Sequence, residues 1–334
     1  MAKWDKECLR LFEEGNSYNE IAKTMGLSWK QVNHALDRAR KARKGNIEYE
    51  DKRPEPTEEE ISQLYNALVN LDEALSNTDT KQTKTTFRID DNKPIGICHW
   101  GDWHFYCRGG DYKQFDQDKK AILETEGLYF IGMGDYKDNN LPTVHPNGVF
   151  EQIATPGIQD LLVKSIFEEV GEKCIAIIRG CHDDWDKRTG DKDFVATLCS
   201  VSNAVNLWHG GGLNLKLGDQ VYKIRARHKY KYESGLNTTN TQRRLLDEFG
   251  PADVIAVAHK HFPDFQTLDR MGQKVIYLRS GTYKVYDELG QKLAGYVGRW
   301  GVPMCIYYPD KHKITPFPDL YEGIIYLKAV RGQY

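Results

Sequence analysis

The chain has 334 residues, enough for one large domain with a smaller companion or for two of medium size. Its formal net charge of -2 excludes a uniformly basic nucleic-acid-coating protein, and its apolar runs are too short to span a bilayer, so no membrane role is expected. Seven dispersed cysteines without a C-x-x-C pair exclude a disulfide framework, and Asp5, Lys6, Glu7, Glu13 and Glu14 interrupt any signal sequence, so a cytoplasmic protein is expected.

Charge is unevenly distributed along the chain. Residues 1–45 are net basic and end in Arg38-Ala39-Arg40-Lys41-Ala42-Arg43-Lys44, whereas residues 48–60 are strongly acidic. Three short helices are predicted in the basic head. Ser17-Tyr18-Asn19-Glu20 is a capping box opening a helix with Ile21, Ala22 and Met25 on one face. Gly26 breaks that helix, and Ser28-Trp29-Lys30-Gln31 is a second capping box whose helix turns Val32, Ala35 and Leu36 inward; a preceding helix supplies Leu9 and Phe12. Two capped helices joined by a short glycine-containing turn form a helix-turn-helix, and residues 1–45 are expected to be a DNA-binding domain. Ser28, Trp29, Lys30 and Asn33 would then enter the major groove, with Arg38, Arg40, Lys41, Arg43 and Lys44 on phosphates. A helical dimerisation module with a solvated basic tail is the alternative.

Residues 46–90 are expected to be a connector. Arg53-Pro54-Glu55-Pro56 is stiff and extended, and Thr57-Glu58-Glu59-Glu60 is a third capping box. It opens an amphipathic helix over 57–76 carrying Ile61, Leu64, Tyr65, Leu68, Leu71 and Leu75, a stripe to be covered by the following domain or by a second copy in a homodimer. Residues 76–86 are polar and expected to lie outside regular structure.

From about residue 93 apolar runs alternate with helical stretches. The runs at 94–97, 128–132, 174–178 and 254–258 each end in a polar motif, 158–170 is helical, and 213–217 with 221–226 alternate as antiparallel strands do; 273–278 is another strand. Residues 91–334 are thus a layered α/β domain. Neither G-x-x-x-x-G-K-[ST] nor G-x-G-x-x-G occurs, which excludes those two nucleotide cradles.

Five polar clusters follow the runs: Asp102-Trp103-His104, Gly134-Asp135-Tyr136-Lys137-Asp138, Gly180-Cys181-His182-Asp183, His228, and His259-Lys260-His261. Carboxylates and neutral imidazoles ligate divalent cations, and two adjacent cations activate water against a phosphoester. In an open α/β sheet, clusters at the carboxyl ends of strands converge on one edge. His34, His99, His145, His209 and His312 fit no such pattern.

In this order the clusters resemble the calcineurin-like metallophosphoesterase superfamily, whose pattern runs D-x-H, G-D-x-x-D, G-N-H-D/E, H and G-H-x-H. The resemblance spans residues 93 to about 285 and implies a β-sandwich flanked by helices. It also implies that Asp102, His104 and His261 hold one cation, that His228 and His259 hold a second, and that Asp135 bridges them. His182 would protonate the leaving oxygen, with Asp183 beside it in the catalytic cluster; Asp183 and Asp138 are also candidates for orienting imidazoles. Mn²⁺ suits such an oxygen- and nitrogen-rich site. The chain departs from the pattern at Ala258, where Gly is usual, and at Cys181, where Asn is usual. A Cys181 thiolate ligand would favour Zn²⁺ or Fe; without ligation by Cys181 the second cation is held more weakly.

Trp185, Arg188, Lys229, Tyr230 and Arg279 lie near the motifs as candidates for phosphate or base contacts, and Asn139 and Asn140 follow the second cluster. His228-Lys229-Tyr230 and Arg279-Ser280-Gly281-Thr282-Tyr283 also resemble segments of phage-encoded members, for which a host cytoplasm is implied; DNA-repair exonucleases belong to the same superfamily. The combined expectation is a two-metal phosphodiesterase, a DNA nuclease delivered by its helix-turn-helix. A phosphoesterase of cyclic nucleotides or phosphoproteins, and a DNA-binding regulator with a vestigial metal site, are the alternatives.

Overall fold

Two units, Met1–Asp79 and Thr80–Tyr334, divide the chain. The computed structural model describes residues 3–43, 56–78, 84–234, 236–270, 272–286 and 298–333. In the first unit, α1 (Lys3–Glu13), α2 (Tyr18–Met25) and α3 (Trp29–Arg43) are the three expected helices. Their common core is Cys8, Ile21, Val32, Ala35 and Leu36, with Leu9 and Phe12 packed against it. Both capping boxes form: Ser17 N–H donates to Glu20 Oε2 at 2.7 Å, and Ser28 N–H to Gln31 Oε1 at 2.9 Å. Gly26 ends α2 at φ 63°, a left-handed conformation that glycine adopts without a Cβ penalty.

Three of the arginines expected on phosphates have partners inside this unit, Arg43 with Glu13 among them. Arg38 donates to the buried Asp5 carboxylate at 2.9 Å and ties α3 to α1. The Arg40 guanidinium lies 4.9 Å from the Phe12 ring centroid. Trp29 and Lys30, by contrast, are exposed at the start of α3. Lys44 and the segment 53–55 lie outside the described residues.

Helix α4 (Glu58–Thr78) is capped by Thr57, whose N–H donates to Glu60 Oε2 at 2.8 Å. Its residues 58–74 are all exposed, the apolar stripe of Ile61, Leu64, Tyr65, Leu68 and Leu71 included. The side chain of Leu75 lies outside the described residues.

The second unit is built on two six-stranded sheets. One has the order β1 (Lys84–Ile89), β7 (Gly210–Leu217), β8 (Gln220–Arg227), β9 (Val254–Val257), β11 (Gln273–Arg279), β10 (Asp264–Arg270). The other has the order β14 (Ile314–Phe317), β13 (Met304–Tyr307), β2 (Ile95–Trp100), β4 (Leu128–Gly132), β5 (Cys174–Ile177), β6 (Val205–Asn206). A two-stranded ribbon pairs β12 (Lys284–Tyr286) with β3 (Gly109–Gly110). Alternation places Leu213, Leu215 and Leu217 on the inner face of one sheet, where they meet Ile95, Ile97, Ile131 and Met133 of the other in one apolar core. Residues of α5 (Tyr112–Glu124), α6 (Pro156–Val170), α8 (Phe194–Ser202) and α10 (Leu320–Arg331) cover the outer face of the second sheet, in a core with Trp100, Trp103 and Phe167. Leu245 of α9 (Asn240–Phe249) packs against the outer face of the first. The layering is helix, sheet, sheet, helix, as expected.

The expected hairpin of β7 and β8 is antiparallel throughout. Strand β1 departs from expectation: residues 84–89 of the expected connector pair in parallel with β7 from Lys84↔Gly212 to Ile89↔Leu217. Strands β2, β4 and β5 are mutually parallel, as are β8 and β9, so their carboxyl ends share an edge.

His99 sits on β2 with neither ring nitrogen hydrogen-bonded among the described residues, and burial pushes its pKa down to about 4. The folded state keeps this imidazole neutral, whereas the unfolded chain protonates it near 6.5. Its contribution to stability is therefore complete above about pH 6.5 and is lost as pH falls toward 4, a slope worth on the order of 3 kcal/mol. Urea midpoints of the metal-free protein measured across that window should fall less steeply in His99→Leu than in the wild type; equal slopes would remove His99 from the explanation.

Candidate metal centre

Each expected cluster lies directly after a parallel strand. Asp102 and His104 follow β2, Asp135 follows β4, Cys181 and His182 open α7 (Cys181–Gly190) beyond β5, His228 follows β8, and His259 and His261 follow β9. The turns that bring them together are conformationally costly. Asp102, His104, Asp135, His259 and His261 adopt φ values of 48°, 44°, 53°, 74° and 58°. A side-chain-bearing residue in this left-handed region costs on the order of 1–3 kcal/mol and persists where surrounding contacts impose it. Gly180 has a different reason: a Cβ there would stand 2.1 Å from Asp135 N and Oδ1, so only glycine lets the turns after β4 and β5 touch.

The donor atoms form two overlapping groups. In the first, His104 Nε2 lies 3.0 Å from His261 Nε2 and 3.9 Å from Asp102 Oδ1, with His261 Nε2 3.7 Å from the same oxygen. In the second, Cys181, His228 and His259 come together, with Cys181 Sγ 3.7 Å from His259 Nδ1. Asp135 lies between the groups: its Oδ2 is 3.1 Å from His228 Nε2 and 3.8 Å from His104 Nε2.

Surrounding contacts fix the ligands. His228 Nδ1 faces the Met133 carbonyl at 2.9 Å, which sets the proton on Nδ1 and turns Nε2 to the site. His259 N–H donates to Asp102 Oδ2 at 2.9 Å, leaving Oδ1 inward. Asp138 Oδ1 lies 3.3 Å from His104 Nδ1 and accepts from Lys284 Nζ at 2.9 Å. Asp102 Oδ1 is buried without a hydrogen-bond partner among the described residues, and His228 Nε2 has none but the Asp135 oxygen 3.1 Å away. Such atoms are expensive to leave unpaired, and both point at the space between the clusters. The donor set thus fits a divalent cation.

The electrostatics agree. Burial pushes His104 down to about 4 and His259 to about 3, and it holds His261 well below its ordinary value, so these imidazoles stay neutral and able to ligate. Burial drives Asp102 up to about 8. Burial also works to raise Asp135, but the imidazoles of His228 and His182 outweigh it and hold the carboxyl well below the usual range. For His228 burial favours the neutral ring, yet the Asp135 carboxylate outweighs it and raises the imidazole well above its ordinary value. A cation would take the place of that proton.

His182 stands beside these donors, its ring centroid 4.6 Å from that of His104 and its backbone N–H donating to Asp135 Oδ1 at 2.8 Å. Its Nδ1 is held by the Asp138 carbonyl and its ring packs on Trp185, centroid to centroid 4.0 Å. With Nδ1–H committed to that carbonyl, Nε2 is the nitrogen free to handle a proton. Asp183 differs from expectation as a member of the catalytic cluster. Its Oδ2 accepts from Asp135 N–H and Gly180 N–H, both at 2.8 Å, and its Oδ1 from Tyr136 N–H at 3.2 Å. With both oxygens on backbone amides it positions the Asp135 turn.

Other residues near the motifs sort by contact. Asn139 Nδ2 donates to the His182 carbonyl at 2.9 Å, while Asn140 donates to Asp138. Arg279 is fully buried and donates to the Thr238 and Ala258 carbonyls, which makes it a brace for the β9 turn. Tyr230 bonds Glu248 at the surface. Two residues escaped the sequence reading: Lys284, which holds Asp138, and Glu233, whose Oε2 lies 3.8 Å from His259 Nε2 and 3.4 Å from Lys260 Nζ. Neither lies in a motif. Among the described residues no helix is long and apolar enough to cross a membrane.

Similar solved structures include a predicted phosphoesterase from Streptococcus pneumoniae, at 13% identity over 67% of this chain and 90% of that one, with a TM-score of 0.33. Zinc-complexed Vps29 of Entamoeba histolytica matches at 13% identity over 67% and 97%, TM-score 0.34. Nuclease MPE of Pseudomonas putida matches at 12% identity over 66% and 87%, TM-score 0.30. No protein-family model and no curated protein matches the chain. Likenesses at this level carry no argument about activity, which has to rest on the site itself.

Proposed function

We propose that this chain, which resembles the calcineurin-like metallophosphoesterases in motif order and in two-sheet architecture, is a two-metal phosphodiesterase acting on DNA. The observation that carries the reading is the convergence of Asp102, His104, Asp135, His228, His259 and His261, with buried donor atoms left unpaired toward one another. Divalent cations, Mn²⁺ in the first instance, supply Lewis acidity there and lower the pKa of a water. The chain's own residues do the rest. Asp102, His104 and His261 would hold one cation and His228 and His259 the other, with Asp135 placed between the two groups. Asp138 keeps His104 turned inward, and Asp183 fixes the backbone from which Asp135 projects. His182 holds its Nδ1 proton on the Asp138 carbonyl and delivers a proton from Nε2 to the departing oxygen.

Cys181 belongs to the second cation's surroundings, since its sulfur is 3.7 Å from His259 Nδ1. A soft ligand there shifts preference toward Zn²⁺ or Fe. Cys181→Asn should therefore raise affinity for Mn²⁺ relative to Zn²⁺, read as a change in the ratio of dissociation constants for the weaker site; an unaltered ratio would show that the sulfur does not ligate.

The reading of DNA as substrate is supported by the three-helix unit, whose α3 begins with exposed Trp29 and Lys30. Removing residues 1–43 should weaken binding to duplex DNA and flatten its salt dependence while leaving turnover of bis-nitrophenyl phosphate intact. Equal DNA affinity with and without that unit would refute its role. The reaction class is tested by assaying the full-length protein with Mn²⁺ on bis-nitrophenyl phosphate, mono-nitrophenyl phosphate, and linear and circular DNA. Cleavage of the diester and of DNA is expected, and turnover confined to the monoester would overturn the assignment.

A further inference from the structure

Beside the metal centre, a cavity of about 250 Å³ opens between the ends of β5 and β8. Arg179, Arg188, Arg227, Lys229 and His209 line it together with Gly180 and the Asp184 carboxylate, and two candidate ligands, Cys181 and His228, form part of its wall. Four cationic side chains against one carboxylate, in a cavity that shares residues with the candidate reaction centre, favour an anion there. Resting on the phosphodiesterase reading above, we propose that this cavity seats the phosphate adjoining the scissile one on a polynucleotide strand, and so makes oligonucleotides rather than small phosphoesters the substrate.

The cations of the cavity fall into two kinds. Arg179 is buried and paired with Asp193 at 2.5 Å, and Arg188 is paired with Asp184 at 2.5 Å, so their charge is largely answered within the fold. Arg227 and Lys229 flank His228 at the end of β8, and neither has a carboxylate partner among the described residues. The Arg227 guanidinium lies instead beside a packed aromatic pair, 5.0 Å from the Tyr230 centroid and 6.0 Å from that of Phe249, and its Nε is buried with no hydrogen-bond partner among the described residues. A guanidinium so held is oriented but unsatisfied, the state in which an arginine binds phosphate with little further loss of side-chain freedom.

Arg227 also borders a second cavity, of about 220 Å³, lined further by Gly210, Gly211, Gly212, Leu245, Phe249 and Arg225, whose guanidinium lies 5.4 Å from the Phe249 centroid. Three consecutive glycines and a half-exposed phenylalanine leave a slot with an aromatic wall, suited to the flat face of a base. A phosphate at Arg227 and Lys229 followed by a base against Phe249 gives the order of groups along a nucleic-acid strand. A phosphomonoester or a phosphoprotein would leave the slot empty.

The experiment compares the full-length protein with Arg227→Gln, Lys229→Gln and the double variant, using a thymidine tetranucleotide and bis-nitrophenyl phosphate. A tetranucleotide is too short to offer the N-terminal unit a major groove. Preference for the tetranucleotide in kcat/KM should shrink about tenfold in the double variant, in KM rather than kcat. Binding of the fluorescent tetranucleotide to the metal-free protein should weaken about fivefold, with the slope of log affinity against log salt reduced by about one for each cation removed. Lys229 is exposed, so its variant folds whatever happens at Arg227, and Arg227→Lys should restore part of the affinity. Unaltered preference and unaltered metal-free binding would overturn the subsite. A nucleoside diphosphate that displaces the tetranucleotide at lower concentration than a longer strand does would overturn the strand assignment. If no phosphodiester is hydrolysed by the wild type, the functional reading fails, and the metal-free binding still judges the subsite by itself.

Discussion

Asp135→Asn is expected to lower kcat/KM for phosphodiesters by about 10³-fold and to reduce bound metal from two ions per chain to about one. The carboxylate has one oxygen 3.1 Å from His228 Nε2 and 3.8 Å from His104 Nε2, so both donor groups depend on it. An amide keeps the shape but removes the negative charge, and its NH2 presents hydrogens where a cation needs lone pairs. Metal-assisted charge stabilisation is worth several kcal/mol, and each 1.36 kcal/mol is a factor of ten in rate. Steady-state kinetics with metal analysis of the same preparation checks both halves. Full metal content with full activity would show that Asp135 bridges nothing.

His182→Ala should behave differently. The His182 ring packs on Trp185 and its Nδ1 faces the Asp138 carbonyl; it stands within reach of His104 and Asp135, and the proposed reading gives it no cation to hold. Metal content should therefore survive while turnover of DNA falls about 10²- to 10⁴-fold, the range for loss of a positioned proton donor. The loss should be smaller for bis-nitrophenyl phosphate, because nitrophenolate departs without needing a proton, whereas an alkoxide does not. An equal loss on both substrates would assign His182 a structural part.

How much of this was legible in the sequence follows from the range of the interactions concerned. The capping boxes at Ser17, Ser28 and Thr57 are contacts over three residues, and each forms as expected. Strands β2, β4, β5 and β9 announce themselves as apolar runs because both of their faces are covered. Strand β1 does not: Lys84-Thr85-Thr86-Phe87-Arg88-Ile89 lies at a sheet edge, alternates partly buried with exposed positions where its side chains are described, and follows a polar stretch. Among the candidate site residues, Asp102, His104, Asp135, His228, His259 and His261 were readable because each follows a strand in a recognisable order. Lys284 and Glu233 were not, since they reach the site across 146 positions to Asp138 and from an irregular segment beside His259, respectively. The contacts of Asp183 were not legible for a related reason. Its neighbour His182 faces the site, but the start of a helix turns Asp183 back onto the amides of Gly180, Asp135 and Tyr136.

The cost of the site is also visible only in three dimensions. Five candidate ligands sit in left-handed backbone conformations, and Asp102, Asp135 and His228 are almost wholly buried. Strain and uncompensated burial in one place, within a fold otherwise made of regular strands, is the pattern expected where a bound ion repays the cost.

The most direct test is titration of metal-stripped, full-length protein with Mn²⁺ while hydrolysis of bis-nitrophenyl phosphate is followed. Activity should be absent in chelator, should appear on adding metal, and should reach its plateau at two ions per chain. Turnover that persists in chelator, or no turnover with Mn²⁺, Zn²⁺ or Fe²⁺ at any ratio, would contradict a two-metal phosphodiesterase.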